Sequence, residues 1–361
     1  MNQVIHPRPN PIVAAMYTLR DLDVDVIVTH GPAGCCFMAS RPLENAGVRI
    51  VTSALKDNDL IFGGGDSLVR TLKEAQRKFN PRTMAVVGTC ASTIIGDDIS
   101  AAIKRADLGP DCNCFAVDCS GCMTDNTQGA IRAVKAGLKA GLISREECER
   151  QISLLKAATD LEKQRGMAGK TYLSPAVSPT KMHVCRVIAN ALKEGKKVAV
   201  VMIAKKELAY RFADMFVAMD EARRKLGGQT LFVANMDGDL GLPRIRRYCS
   251  NINAELDADG VTIDRMVGGL DEYAVIGDRV KEAVDEFKPD MRIILGICHA
   301  YPDMQKDDIL ITDQPRQLAN YLDQNFLCAV GEVSSHNMVM GAKGIVHLET
   351  ADTLREIIRE M

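Results

Sequence analysis

The stretch VDVIVTHGPAGCC at residues 24–36 decides the fold of the first part of the chain. Its beginning, VDVIVT, is mostly β-branched and apolar, as is typical of a buried parallel strand. The remainder contains glycine, proline and two cysteines, so the strand should end in a tight turn that carries thiols. Similar apolar runs recur at residues 48–52, 84–88 and 114–117, with helix-length segments between them. This alternation predicts an open α/β unit with a parallel sheet.

The second half of the chain repeats the pattern. Short apolar runs predict further parallel strands at residues 197–202, 230–234, 292–296, 309–311 and 329–331. The fold class indicated for the whole chain is therefore α/β, with Rossmann-like domains built on parallel sheets.

Domain boundaries are indicated by a helix start and by prolines. The sequence SREE beginning at Ser144 has the spacing of a capping box and should open a long charged helix. A stretch containing prolines follows and ends at Pro179. We therefore expect an N-terminal domain over residues 1–170 and a C-terminal region over residues 171–361, with two lobes in the latter that divide near residue 255.

The composition argues against several classes of protein. With 361 residues, 47% of them hydrophobic and 25% charged, the chain is globular and long enough for more than one core. A formal net charge of −2 provides no general attraction to nucleic acid or to anionic membranes. No apolar run approaches the roughly 20 residues of a membrane helix, and the first residues lack a secretory signal, so a cytoplasmic location is expected. There, the 12 cysteines should be thiols, metal ligands or redox groups.

Three glycine-containing segments lie where strands should end: HGPAGCC at residues 30–36, DLIFGGGD at residues 59–66 and GTCASTIIGDD at residues 88–98. In open α/β sheets ligands bind at the carboxyl ends of strands, so cysteines there are well placed to hold a metal group. Glycine lets the backbone approach such a group closely. Taken singly, Cys35 or Cys90 is explained more simply as a small buried apolar residue. The glycines alone also suit the tight turns of a nucleotide-binding fold, although no segment completes Gly-x-Gly-x-x-Gly.

Together and in this order, the three segments resemble the first domain of the nitrogenase component 1 superfamily, over residues 24–135. That resemblance implies stacked Rossmann-like domains that hold an iron-sulfur cluster at a subunit interface. It also implies that Cys35 and Cys90, which occupy the motif positions, ligate the cluster. Nitrogenase-type chains carry a further ligand cysteine upstream of the His-Gly-Pro turn, whereas residues 1–34 contain none. An eight-iron cluster and dinitrogen reduction are therefore disfavoured.

Within that superfamily, so short a chain most resembles the nickel-tetrapyrrole reductive cyclases of methanogens. The resemblance implies the catalytic component of an enzyme that reduces nickel-sirohydrochlorin a,c-diamide and closes a lactam ring. A separate iron protein would hydrolyse MgATP and supply the electrons. Because a 4Fe-4S cluster takes four ligands and two cysteines match the motif, the cluster is expected on the two-fold axis of a homodimer. The alternatives are another nitrogenase-like tetrapyrrole reductase, a non-catalytic scaffold for cluster assembly, and a nucleotide-binding regulator with incidental cysteines.

Two other segments compete as sites. GMAGKT at residues 166–171 resembles a phosphate loop, but Gln164 stands where that motif needs glycine, which agrees with ATP being handled by a partner. A second candidate metal group is formed by four cysteines, the last two of which also suit a redox dithiol: Cys112, Cys114, Cys119 and Cys122. A strand through Cys114 would hold the first two on an extended backbone, away from the turn geometry of a metal knuckle. Cys36 is the neighbouring alternative to Cys35.

The candidate catalytic residue is His299, which follows a predicted strand and would deliver protons or position substrate near neutral pH. His336 is a second, weaker candidate, and a structural turn explains either histidine equally well. Asp97 and Asp98 are expected to cap the helix after Cys90, where carboxylates stabilise the positive helix end.

Overall fold

The computed structural model describes residues 10–119, 125–165, 179–332 and 336–361. These residues form two compact units. The N-terminal unit comprises the described part of Ile5–Lys156 together with Leu242–Arg244, and the C-terminal unit comprises the described parts of Ala157–Gly241 and Ile245–Met361.

The N-terminal unit is built on a parallel sheet of four described strands in the order β2-β1-β3-β4. Its elements alternate between strands and helices, as the apolar runs predict. They are α1 (Pro11–Asp21), β1 (Val26–His30), α2 (Phe37–Asn45), β2 (Arg49–Thr52), α3 (Asp57–Phe62), α4 (Gly65–Phe79), β3 (Thr83–Gly88), α5 (Cys90–Ile94), α6 (Ile99–Ala106), β4 (Asn113–Val117), α7 (Asn126–Lys139) and α8 (Arg145–Gln164), the last of which continues into the C-terminal unit.

One face of this sheet packs against α4 and α6. Leu68 and Leu72 of α4 are fully buried in one cluster with Val28 of β1 and Val86 of β3. Burying a side chain of this size stabilises the fold by about 1.5–3 kcal/mol. The packing fixes the strands and therefore fixes where the turns at their carboxyl ends lie.

The C-terminal unit is built on a parallel sheet of six described strands in the order β10-β9-β8-β5-β6-β7. Short 3-10 turns follow β5 and β8. The elements are α9 (Pro179–Lys193), β5 (Lys197–Ile203), α10 (Ala209–Leu226), β6 (Gln229–Ala234), α11 (Pro243–Ala258), β7 (Arg265–Met266), α12 (Gly277–Phe287), β8 (Met291–Gly296), β9 (Ile309–Thr312), α13 (Pro315–Asp323), β10 (Cys328–Gly331), α14 (His336–Val339) and α15 (Glu349–Glu360).

The predicted α/β fold with parallel sheets is confirmed. The predicted division near residue 255 is not supported, because this residue lies within α11 and strands from both sides of it share one sheet. The predicted boundary at residue 170 lies outside the described residues, while the compact units meet in sequence at Lys156. Ser144 accepts a hydrogen bond from the backbone of Glu147 and so begins α8 as predicted. No described helix is long and apolar enough to cross a membrane.

Candidate metal centre

The carboxyl edge of the N-terminal sheet brings three cysteine-bearing turns together. Strand β3 pairs in parallel with both β1 and β4, so the turns after these strands are neighbours. Cys35 lies in the turn after β1, Cys90 is the first residue of α5 after β3, and Cys119 follows the end of β4. The positions that the sequence placed at separate strand ends therefore meet at one edge.

The thiols at this edge influence one another electrostatically. Burial raises the pKa of Cys35, and the nearby thiol of Cys90 raises it further. Burial, with smaller effects from Cys35, Cys119 and Cys90, raises the pKa of Cys36 to about 12. Among the described residues, no cationic side chain contributes to the pKa shift of Cys35 or Cys36. A raised pKa keeps these thiols protonated and weakly nucleophilic near neutral pH, and a coordinating metal ion would deprotonate them by supplying positive charge.

This donor set fits an iron-sulfur cluster, which proteins hold through cysteine thiolates. Cys35 and Cys90 are half-buried and present sulfur from two adjacent turns. Cys36 precedes α2 in a left-handed backbone conformation, with φ of 63°, and Cys119 is buried. The role of Cys35 and Cys90 as ligands stays a prediction, and Cys36 and Cys119 are the neighbouring alternatives.

A buried histidine links the segments around these cysteines. The ring of His30 is fully buried, with Nδ1 2.9 Å from Oγ of Ser53 and Nε2 2.8 Å from Oδ2 of Asp97. Ser53 also accepts the backbone N–H of Gly31, and both carboxylate oxygens of Asp97 lie 3.0 Å from the backbone nitrogen of Gly64. The carboxylate of Asp97, in the third glycine-containing segment, thus joins His30 of the first segment to Gly64 of the second.

Two glycines are required by this close packing. A Cβ added to Gly31 would lie 2.3 Å from Oγ1 of Thr89, which itself donates a hydrogen bond to the carbonyl of His30 at 2.9 Å. A Cβ added to Gly64 would lie 2.6 Å from Leu55 and 2.7 Å from the carboxylate of Asp97. The glycines of the HGP and FGGG sequences therefore allow the turns to contact each other, and contact with a metal group is not needed to explain them.

Burial changes the acid–base behaviour of the histidine. It lowers the pKa of His30 below the ordinary value of 6.5, and the hydrogen bond and charge of Asp97 only partly oppose this effect. The pair therefore favours a neutral ring, which is less costly to bury than a charged one.

The expected capping role is correct for one aspartate and wrong for the other. Asp98 accepts a hydrogen bond from the backbone of Ala101 at 2.9 Å and caps α6. Asp97 is instead the partner of His30 and Gly64. Sequence reasoning missed this pairing, although His30 and Asp97 both stand inside the segments that carry the family resemblance.

The second predicted metal group is only partly described. Cys112 belongs to the apolar cluster beneath α4 and α6, and Cys114 packs against that cluster. Burial, with a smaller effect from Cys112, raises the pKa of Cys114 to about 12. These two cysteines thus contribute to the core, while Cys119 lies at the candidate centre. Cys122 and the loop-like sequence at residues 166–171 lie outside the described residues.

His299 is found in the C-terminal unit, whereas Cys35 and Cys90 belong to the N-terminal unit. It lies in a 3-10 turn after β8 and is 3% exposed. Its Nδ1 is 2.5 Å from Nε2 of Gln317, and its Nε2 is 3.4 Å from a carboxylate oxygen of Glu162. A catalytic role for His299 stays a prediction, and the side chain of His336 lies outside the described part of the structure.

Comparisons with known proteins identify the family of the chain. Residues 11–216 match the family described as "Nitrogenase component 1 type Oxidoreductase". The chain belongs to this family. The resemblance read from the three segments is thereby confirmed.

Relatives that match over their whole length carry a narrower name, "Ni-sirohydrochlorin a,c-diamide reductive cyclase complex, component CfbD". The protein from Methanothermobacter thermautotrophicus is 40% identical over 361 residues, which cover 99% of this chain and 100% of that protein. The one from Methanosarcina acetivorans is 41% identical over 364 residues, with coverage of 99% and 98%. The nitrogenase molybdenum-iron protein alpha chain of Clostridium pasteurianum is 31% identical over 107 residues, which cover 27% of this chain and 20% of that protein.

Proposed function

We propose that this chain is the catalytic component of an ATP-dependent reductive cyclase that converts Ni-sirohydrochlorin a,c-diamide to a lactam-containing product. Its two relatives with that name match it from end to end at about 40% identity, which supports the same substrate and reaction. The observation that carries the proposal is the group of thiols at the carboxyl edge of the N-terminal sheet. Such thiols suit a protein that receives electrons and passes them to a bound substrate.

The proposed cofactor is one 4Fe-4S cluster, held by Cys35 and Cys90 from each of two protomers. When bound, the cluster would accept electrons singly and pass them on. The chain's own contribution is to hold two thiols on adjacent turns, with the turns fixed by the buried contacts of His30. Because each protomer offers two cysteines at the motif positions, a two-fold dimer completes the usual four ligands.

An apolar surface next to the cysteines supports a homodimer. Five large hydrophobic side chains on α2, α3 and α5 are between 71% and 86% exposed: Phe37, Met38, Ile61, Phe62 and Ile94. These helices follow β1, β2 and β3, whose carboxyl ends are adjacent in the sheet. Several large apolar side chains exposed on neighbouring helices are characteristic of an interaction site. A second copy that covers this apolar edge would place both sets of thiols at the same axis.

The dimer can be tested by placing a charge on the apolar edge. Phe62→Glu should shift the protein to monomers in analytical ultracentrifugation and should lower its iron content in parallel. Leu327→Glu is a matched control, because Leu327 is 76% exposed but belongs to the C-terminal unit. Phe62→Glu protein that remains dimeric with full iron would contradict the interface.

The cluster ligands are tested by substitution and metal analysis under argon. Cys35→Ala and Cys90→Ala should each remove two of the four ligands per dimer, with loss of the cluster absorbance, of iron and sulfide, and of cyclase activity. Cys112→Ala, in the core of the same unit, should retain the iron. Activity is measured with the nickel tetrapyrrole, an iron-protein partner and MgATP. Wild-type iron in both Cys35→Ala and Cys90→Ala would contradict the proposed centre.

A further inference from the structure

His30 contacts both ends of the helix that carries Cys90. Its carbonyl accepts the hydroxyl hydrogen bond of Thr89, the residue immediately before α5. Its ring lies against Asp97, which follows the helix and donates its backbone N–H to the carbonyl of Ser92. The short helix α5 is therefore held at its beginning and at its end by one residue of the turn that leads to Cys35.

The same ring is fixed on its other side. Ser53, the residue after β2, lies 2.9 Å from Nδ1 of His30 and also accepts the backbone N–H of Gly31. Both ring nitrogens thus have a partner, and His30, Ser53 and Asp97 are all buried or nearly so. Removing one partner would leave a buried polar group unsatisfied, so the arrangement resists change.

We propose that His30 and Asp97 are a positioning pair, with the ring of His30 held from its other side by Ser53. Together these contacts fix the turn of Cys35 against the helix of Cys90 and so fix the geometry with which these thiols hold the cluster. The inference rests on the proposed function of the two cysteines. Neither His30 nor Asp97 is placed as a ligand. Groups that hydrogen-bond directly to metal ligands typically alter metal affinity by about 10- to 100-fold when they are replaced. His30 and Asp97 act through the backbone of the two turns, so the lower end of that range is expected.

The chain provides a matched pair of substitutions for the test. Asp97→Asn keeps the shape of the side chain but removes the carboxylate that faces His30 and Gly64. Asp98→Asn makes the same chemical change at the next residue, where the side chain only caps α6 and asparagine caps equally well. Ser53→Ala removes the contact on the opposite side of the ring and leaves Asp97 in place.

The experiment compares these full-length variants after reconstitution with iron and sulfide under argon. The readouts are the EPR spectrum of the reduced cluster, its midpoint potential, and the iron affinity of the apoprotein. Asp97→Asn and Ser53→Ala should shift the EPR g-values and the potential, and should weaken iron affinity by about 10-fold. Asp98→Asn should match the wild type in all three.

Two results would overturn the inference. One is an Asp97→Asn cluster with wild-type g-values, potential and iron affinity. The other, which also decides the matter if Asp97→Asn fails to fold, is a Ser53→Ala protein that is unchanged in the same measurements. Failure of the proposed function looks different, because Cys35→Ala and Cys90→Ala would then retain iron. If those two variants lose iron while Asp97→Asn is unchanged, only the positioning role is wrong.

Discussion

Gly31→Ala should destabilise the N-terminal unit because the added methyl group has no room. The new Cβ would lie 2.3 Å from Oγ1, 2.8 Å from Cγ2 and 3.0 Å from Cβ of Thr89. Thr89 is fully buried and cannot rotate away without losing its hydrogen bond to the carbonyl of His30. Either the turn that leads to Cys35 or the start of α5 must move.

The size of the effect follows from three contributions. Overpacking of a well-filled site costs about 1–3 kcal/mol. Loss of one hydrogen bond adds about 0.5–1.5 kcal/mol. Alanine also lowers the conformational entropy of the unfolded chain, which offsets about 0.4–1 kcal/mol of this cost. Gly31→Ala should therefore lower the free energy of unfolding by about 0.5–4 kcal/mol.

Urea unfolding of the iron-free chain, followed by circular dichroism, measures this change. Gly34→Ala is the matched control in the same turn, since its Cβ would meet no atom within 4 Å, and it should remain close to wild-type stability. Thr89→Ala removes the two nearest atoms, so the double variant Gly31→Ala with Thr89→Ala should cost less than the sum of the single changes. Equal stabilities for Gly31→Ala and Gly34→Ala, or strict additivity in the double variant, would refute the steric explanation.

Three further predictions concern histidines and the partner. Because burial lowers the pKa of His30, the folded chain binds fewer protons there than the unfolded chain. The free energy of unfolding should therefore fall as the pH drops through about 6.5, and it should fall less steeply in His30→Gln. His299→Ala should lower the free energy of unfolding by about 1–3 kcal/mol, because it leaves the amide of Gln317 unsatisfied. His183 is exposed, so His183→Ala should change that free energy by no more than about 0.5 kcal/mol. Slower cyclase turnover of His299→Ala with unchanged iron would support a role in proton delivery or substrate positioning. Wild-type turnover would show that His299 serves only in packing. The purified chain alone should hydrolyse no ATP, and substrate-dependent hydrolysis without the iron protein would contradict the division of labour.

The sheets could be predicted from the sequence because buried parallel strands are near-continuous apolar runs. The run at residues 24–29 corresponds to β1, and the runs at residues 197–202 and 292–296 correspond to β5 and β8. Strand β7 was missed because Arg265 and Met266 form too short and too polar a segment to stand out. The lobes expected near residue 255 failed for a different reason, since periodicity shows where strands lie but does not show which strands share a sheet.

The candidate centre was predictable only in part. Cys35 and Cys90 could be singled out because their turns resemble a known family, and the structure brings these turns to one edge. The pairing of His30 with Asp97 could not be foreseen, because these residues are 67 positions apart and local rules suggest a helix cap. Asp98 caps α6 as the local rule predicts, whereas Asp97 pairs with the buried ring of His30. Long-range contacts of this kind leave no periodic signal in a single sequence.

The exposed apolar edge around the cysteines has a consequence for how the protein should be handled. If two copies share that edge and the cluster, dilution acts on both at once, since mass action separates the protomers and each keeps only half of the ligands. Iron occupancy and melting temperature should then rise with protein concentration. Measurements at different protein concentrations would therefore sample different proportions of cluster-bearing dimer and cluster-free monomer.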